Sequence, residues 1–584
     1  MYKAILVVFV LGIQFCFGFN DPNILKKVDE SLLTTLKTNK QAEYIVLLKD
    51  RLVFNKHLPF SNKMDKGNFV YQSLLRHAER TQKNIIKLLE DHHIQYHSFF
   101  VTNAIKVKSD INLLLKLAQM SEIEKIVDDA PIYMLDYEQE KSQSRRNGDP
   151  EWGIKYIKAD SVWAMGFTGQ GVVIAGQDTG YDWEVSPIKS KYRGFIDSTH
   201  VDHNYNWFDA IVKNNPRFPD TILNPCGLAT KFPCDDNNHG THTMGTMVGQ
   251  DDENTIGVAP GAKWMACRNM DRGWGQPSTY INCFEWFIAP RDLDGKNPDP
   301  TKAPHVINNS WYCSLEEGCN LSNFVLMDDV VKNVKAAGIV VVVSAGNSGS
   351  SCGSVTGPPA IFEASFSVGA SDINGNIAGF SSRGPVMIDS SFRLKPNASA
   401  PGVNVRSVIR GGDFANFSGT SMAGPHMAGL VALIISANPK LAGNVEAIED
   451  ILEITANATM SDQSCGDFDG SKVPNAIFGY GIANAYEAVQ RALAFNTGIE
   501  NNEPSKILVF PNPTHDLISF NLSKGNQSIK AIKIFDMQGQ KVLEKYESDG
   551  HLLTTIPISQ LTTGTYTFVL QASGQIYYGK FVKL

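Results

Sequence analysis

The sequence has 584 residues and is almost without cysteine outside its middle. None lies between Cys16 and Cys226, and none follows Cys465. Disulfide bonds are therefore confined to the central region, and both ends must fold on apolar cores alone. The chain also lacks a basic excess. Its formal net charge of −7 offers no field that would hold nucleic acid. Beyond the first residues no stretch is long and apolar enough to suggest a membrane span. The cysteine spacings do not resemble a zinc site.

What is present suits globular cores: 43% hydrophobic and 19% charged residues, with 48 glycines for tight turns. The length predicts two to four domains. Met1-Tyr2-Lys3, the apolar run Ala4–Ile13 and Cys16-Phe17-Gly18 form a secretory signal with a small-x-small cleavage site. A membrane anchor is the alternative, but the run is short for one. Gln14 and Phe15 are not the small residues a lipoprotein cysteine requires. Without Cys16, eight cysteines remain in an exported chain, so disulfides are expected. Cys226 with Cys234 and Cys313 with Cys319 are close in sequence. Cys267 with Cys283 and Cys352 with Cys465 would complete the set, although sequence does not fix the connectivity.

From Phe19 to Tyr137 the chain is charged and Lys-rich. Glu43–Leu48 reads as a strand, and Tyr71–Asp91 as an amphipathic helix with Leu74, Leu75, Ala78, Ile85, Leu88 and Leu89 on one side. A strand region over Phe99–Val107, a helix over Ile111–Ala118, Ile123–Val127 and a last strand near Ile132-Tyr133-Met134 follow. With a strand break between Phe99 and Val107 this order is a ferredoxin-like split βαβ motif. Such a domain ahead of an exported enzyme suggests a propeptide; an independent binding domain is the alternative. Gln139–Gly148 reads as an exposed linker suited to proteolytic maturation.

From Trp152 to Ala494 strands and helices alternate. Gly171–Ala175, Val306–Ser310 and Ile339–Ser344 are continuous apolar runs of the kind found in central parallel strands, and Val325–Ala337 reads as a helix between two of them. The expected fold is α/β, a doubly wound and mostly parallel sheet, whose ligands bind at the carboxyl ends of the strands. Asp178 follows the first run, Asn347 follows the third, and His239 opens a small-residue helix. Ser421, in Gly419-Thr420-Ser421-Met422-Ala423-Gly424, opens another helix that reads as fully buried. Singly, each has an ordinary explanation: a turn aspartate, a polar helix end, a turn asparagine, an N-cap serine. Together they supply a carboxylate, an imidazole, an amide and a hydroxyl at element ends of one domain. That set performs acyl transfer. The hydroxyl attacks, the imidazole moves the proton, the carboxylate orients the imidazole, and the amide with the Ser421 N–H receives the oxyanion.

Asp178-Thr179-Gly180, His239-Gly240-Thr241-His242 and Gly419-Thr420-Ser421-Met422-Ala423-x-Pro425-His426 resemble the three signatures of the subtilisin-like serine peptidases. Their Asp–His–Ser order is that of subtilisin itself. Phe380–Gly384 and Ala400-Pro401-Gly402 resemble further segments of that fold. Lys191–Gly194 and Cys267–Asp271 resemble the bacillopeptidase F-like branch. The resemblance covers about Trp152 to Ala494. It implies that His239 is catalytic and His242 structural, and that the enzyme is a secreted endopeptidase made as a zymogen with its own propeptide as intramolecular inhibitor. It implies protein or peptide substrates held by Ser310, Trp311 and Tyr312 as an edge strand, with Ser344, Ala345, Gly346 and Gly357 around the residue before the scissile bond. Tyr312 and Cys313 stand where the family has small glycines, and Val185-Ser186 replace a usual His-Pro. No acidic residue marks the pocket segments, which speaks against basic-residue specificity. No cofactor is required for the chemistry. Family members often bind calcium; Asp292-x-Asp294-Gly295-x-Asn297 offers oxygen ligands, but its glycine is misplaced for an EF-hand loop and a solvated loop fits better.

Past a polar linker, residues 507–510, 518–522, 531–535 and 566–570 read as strands of a small β-sandwich. Val509-Phe510-Pro511-Asn512-Pro513, Ile534-Phe535-Asp536-x-x-Gly539 and Leu561-x-x-Gly564-x-Tyr566 resemble the C-terminal sorting domain of the type IX secretion system. That implies contact with the type IX machinery; a retained adhesive module is the alternative. The expected order is signal peptide 1–18, propeptide 19–145, peptidase domain 146–496, linker 497–505 and sorting domain 506–584. The rival function is a catalytically silent homologue that acts as a cell-surface binding protein.

Overall fold

The computed structural model describes residues 22–495 and 507–584, apart from residues 55–57, 59, 61, 135–137, 142–147, 217, 219–221, 313–320, 511, 523–528, 537–539, 547–552 and 573–574. The signal segment, the Cys313–Cys319 pair, the linker after Phe495 and most of the 139–148 stretch lie outside the described residues. The chain forms two compact units, residues 1–496 and 497–584.

The first unit is built on a seven-stranded sheet. Its order is Ala398–Pro401, Phe366–Ser371, Val340–Ser344, Val306–Asn309, Val173–Asp178, Lys263–Arg268 and Trp207–Asp209. Every neighbouring pair is parallel. Helices cover both faces, which is why the central strands are apolar throughout rather than alternating. Val340 and Val342 enter one core with Ala423, Met427 and Leu430 of the helix Thr420–Ala437. Val341 and Val343 enter the other with Phe284, Phe287 and Val331 of the helices Pro277–Ile288 and Leu321–Ala336. Among the described residues only Thr420–Ala437 has the length and apolarity of a membrane span, and it is buried at the centre of the domain. The sequence reading found its burial but not its span-like composition.

The N-terminal segment forms a four-stranded antiparallel sheet of order Tyr96–Phe99, Ala104–Ser109, Ala42–Leu48, Ile123–Asp128, with helices Lys63–Asp91 and Ile111–Gln119. This is the split βαβ arrangement. The long helix begins eight positions before the expected Tyr71, capped by the Asn62 side chain, which accepts from Asp65 N at 2.8 Å. Lys63 and Lys66 on the added turns reach the domain that carries the seven-stranded sheet. Their ammonium groups donate to the Ala303 and Gly443 carbonyls, each at 2.9 Å. Part of the joint is apolar, where Val70, Tyr71, Leu74 and Val101 share a core with Phe284, Phe324 and Val331; part is polar, where Asn333 donates to Val101 O at 2.7 Å and Asp129 accepts from Ser278 N at 2.9 Å and Ser278 Oγ at 2.7 Å. At its centre the buried Glu285 carboxylate accepts from Phe100 N at 2.6 Å and Val101 N at 3.1 Å.

Ile132–Tyr133, expected to close this sheet, does not join it. Asp129, Ala130 and Pro131 end the fourth strand, and Ile132–Tyr133 pairs instead with Trp274–Gly275. Gln139–Lys141, expected as the start of a linker, lies in a strand Glu138–Lys141 antiparallel to Phe414–Ser418.

In the second unit a three-stranded and a four-stranded antiparallel sheet share one core of Ile518, Phe520, Ile532, Ile534, Phe568 and Phe581. Among the described residues three disulfides, Cys226–Cys234, Cys267–Cys283 and Cys352–Cys465, match pairings suggested from the sequence.

Replacing Glu285 by Ala strands two backbone N–H groups in a buried joint, at a cost of about 1–3 kcal/mol. Hydrogen exchange at Phe100 and Val101 should accelerate about tenfold or more, whereas Glu285→Gln, which keeps an acceptor, should accelerate it less. Unchanged exchange in Glu285→Ala would show that this contact does not hold the joint.

Candidate active site

Asp178 is the last residue of the strand Val173–Asp178, and His239 is the first residue of the helix His239–Val248. Both are fully buried. His239 Nδ1 donates to Asp178 Oδ1 at 2.8 Å, with Oδ2 at 3.0 Å, and Thr179 N donates to the same Oδ1 at 2.7 Å. The carboxylate thus fixes the ring by its inner nitrogen. Close approach requires glycine at 240: a Cβ there would lie 2.0 Å from the Gly180 carbonyl oxygen.

Sequence reading missed Asp235. This fully buried carboxylate accepts from Thr179 Oγ1 at 2.9 Å, Asn237 N at 2.9 Å, Thr241 N at 3.0 Å and Thr241 Oγ1 at 2.6 Å. It caps the first turn of the His239 helix and ties it to the residue after Asp178. Its carboxyl is raised above the usual range by burial. The signal was available: an aspartate four positions before His239, at the start of a helix whose first N–H groups need acceptors.

Ser421 lies in the first turn of Thr420–Ala437 and is 4% exposed. Pro425 sits inside that helix and has no N–H to return to the Ser421 carbonyl. The Ser310 hydroxyl takes that carbonyl instead, donating at 2.8 Å, while Ser421 Oγ donates to Ser310 O at 3.2 Å. Asn347 is on the other side of the turn. Its Oδ1 accepts from Thr420 N at 2.9 Å and Thr420 Oγ1 at 2.8 Å, which turns its amide nitrogen away from Thr420.

His242 joins the two halves. It stacks on Phe417 with ring centroids 4.1 Å apart, and its Nε2 faces the Val405 and Ala415 carbonyls at 3.1 and 3.2 Å. Phe417 belongs to the strand that runs directly into Ser421. Burial pushes His242 down to about 3 and His426 down to about 4, so both are neutral near pH 7. The helices that begin at His239 and Thr420 pack directly on each other.

The expected substrate residues are distributed around this turn. Trp311 stacks on Tyr280 at 3.8 Å, and the Tyr312 hydroxyl meets Ser348 Oγ. Gly346, at φ +109°, faces the Tyr312 ring and donates its N–H to Thr420 Oγ1 at 3.2 Å. Ser344 and Ala345 are buried beside it, with Ala345 N bonded to Val368 O at 3.0 Å. Gly357 is buried farther along the loop, and its carbonyl accepts from Ile361 N at 3.4 Å. The Asp292 loop satisfies itself: Asp292 Oδ1 accepts from Lys296 N at 2.7 Å and Asp294 N at 3.1 Å, and Lys231 pairs with Asp294 at 3.0 Å. Among the described residues no group of three or more His, Cys, Asp or Glu side chains is arranged to hold a metal ion.

Residues 508–584 match the secretion system C-terminal sorting domain, which marks the chain as a secreted protein of the type IX route. Bacillopeptidase F of Bacillus subtilis is 33% identical over 500 residues, 80% of this chain and 32% of that protein. Subtilisin amylosacchariticus of Bacillus subtilis subsp. amylosacchariticus is 32% identical over 308 residues, 52% of this chain and 65% of that protein. Subtilisin of Bacillus pumilus is also 32% identical over 308 residues, with 90% of its length covered. The chain thus spans a third of the first relative and just under two thirds of the second. Residues 169–481, which hold every side chain placed around Ser421, match the subtilase family model, and the chain belongs to that family.

Proposed function

We propose that the chain is a serine endopeptidase made as a zymogen. The observation that carries this reading is the buried Asp178–His239 hydrogen bond in a domain whose Ser421 opens a helix between Ser310 and Asn347. In this mechanism Ser421 Oγ attacks the peptide carbonyl and passes its proton to His239 Nε2. Asp178 holds the Nδ1–H and stabilises the imidazolium. The oxyanion is received by the Ser421 N–H, left over at the helix start, and by the Asn347 amide nitrogen. His239 then protonates the departing amine, and water repeats the sequence on the acyl-enzyme. Burial lowers the basicity of His242 and His426, which makes either a poor acceptor for the Ser421 proton.

The N-terminal segment serves as intramolecular inhibitor. Trp274–Gly275 continues from the strand beside Asp178, since Asn269 N bonds Asp178 O at 3.0 Å, and it is occupied by Ile132–Tyr133. Met134 N donates to Gly273 O at 2.7 Å. Four residues later Glu138 pairs with Ser418, three positions before Ser421. The described strands before and after residues 135–137 thus lie on the Asp178 side and the Ser421 side respectively. We therefore place self-cleavage between Met134 and Glu138, upstream of the exposed stretch that composition suggested. Substrates are proteins or peptides bound as strands on the same edges, and the C-terminal unit engages the type IX machinery.

Asn347→Ala should lower kcat by about 10²–10³-fold with KM nearly unchanged, the magnitude known for loss of such a donor in subtilisin itself. A loss confined to KM would contradict the oxyanion role. Asp235→Asn weakens charged hydrogen bonds at the His239 helix, worth about 1.5–3 kcal/mol each, and should lower kcat about tenfold or more. Wild-type kcat in Asp235→Asn would show that the cap does not position His239. If Ser421→Ala hydrolyses peptides as wild type does, Ser421 is not the nucleophile; if matured wild type hydrolyses no peptide, the enzyme reading fails and a silent binding protein stands.

A further inference from the structure

We propose that Glu138–Lys141 is a second lock, on the leaving-group side of the cleft, and that full activity requires its removal after the first cut. The inference rests on the peptidase reading above and goes beyond it. The strand Phe414–Ser418 has two edges. Val405–Val408 takes one, and Glu138–Lys141 takes the other through four residue pairs, from Ser418↔Glu138 to Ala415↔Lys141. That strand leads directly into Gly419-Thr420-Ser421. Residues that follow a scissile bond at Ser421 must leave along this edge, so substrate and Glu138–Lys141 compete for the same main-chain groups.

A cut between Met134 and Glu138 frees the upstream sheet but not this strand. Its downstream end stays fastened to the domain, where Gly148 N bonds Glu253 O at 3.0 Å and Glu151 N bonds Thr255 O at 3.0 Å. Only residues 142–147 separate strand and anchor, and a tether that short holds its occupant at roughly millimolar effective concentration. Gln139 and Glu140 are exposed, so main-chain pairing rather than side-chain burial holds the strand. It is removable by hydrolysis of one peptide bond on the C-terminal side of Lys141, in which water supplies the hydroxyl of the new carboxyl group and a proton to the new amine.

The test follows purified full-length zymogen through maturation by intact mass and N-terminal sequencing, with two substrates. A peptidyl p-nitroanilide has no residues after the scissile bond; a fluorescence-quenched peptide has residues on both sides. Nitroanilide hydrolysis should rise when the chain first begins between residues 135 and 138. Cleavage of the quenched peptide should lag until the chain begins beyond Lys141, with KM about tenfold or more higher in the intermediate. The double variant Gln139→Pro, Glu140→Pro cannot sustain the pairing and should lose the lag; if it does not fold, the wild-type time course alone decides. Simultaneous appearance of both activities while residues 138–141 remain, or a first cut already beyond Lys141, overturns the second lock. Failure to hydrolyse either substrate overturns the peptidase reading instead.

Discussion

The hydrogen bond from His239 to Asp178 is the constraint on which the rest of the domain depends. It joins the end of a central parallel strand to the start of a helix, with both groups fully buried. A carboxylate removed from water needs compensation, and here the imidazole and the Thr179 N–H provide it. Nothing in the strand or the helix alone would hold that geometry. Asp235 does so by bonding both the residue after Asp178 and the first turn of the His239 helix. Gly240 permits the approach because any Cβ there would collide with Gly180.

The same logic places Ser421. The helix it opens is buried and nearly all small or apolar, so the position of its first turn is set by packing against the sheet. Pro425 releases the Ser421 carbonyl from the helix, and Ser310 collects it. Asn347 collects the Thr420 N–H, another group the helix start cannot pair. The helix terminus is thus shared between two neighbouring strand ends, and these are the elements that would face a bound peptide. The N-terminal segment makes use of both flanks, pairing with Trp274–Gly275 on one side and Phe414–Ser418 on the other.

Much of this was legible in the sequence, for physical reasons. Apolar runs such as Val340–Val343 announce buried parallel strands because both of their faces are covered. Asp178 and Asn347 stood out as polar groups at the ends of such runs, and His239 and Ser421 as polar groups at the starts of small-residue helices. Other features were not legible. The pairing of Ile132–Tyr133 depends on a partner more than 140 residues away, so its apolar pattern suggested only a strand and not which sheet it joins. Gln139–Lys141 is polar and looked like linker because its strand is held by main-chain bonds, which side-chain composition does not record. The extra turns at the start of the long helix are anchored by lysines whose acceptors, Ala303 and Gly443, are still more remote. Tyr312 was recognised as unusual for the family, but its contact with Ser348 could not be foreseen.

The central claim is that Asp178 and His239 activate Ser421. Matured protein treated with a fluorophosphonate and mapped by peptide mass should carry one phosphonyl adduct, on Ser421. His239→Ala should slow its formation by several orders of magnitude, and Ser421→Ala should abolish it. An adduct on another residue, or undiminished labelling in His239→Ala, would contradict the account.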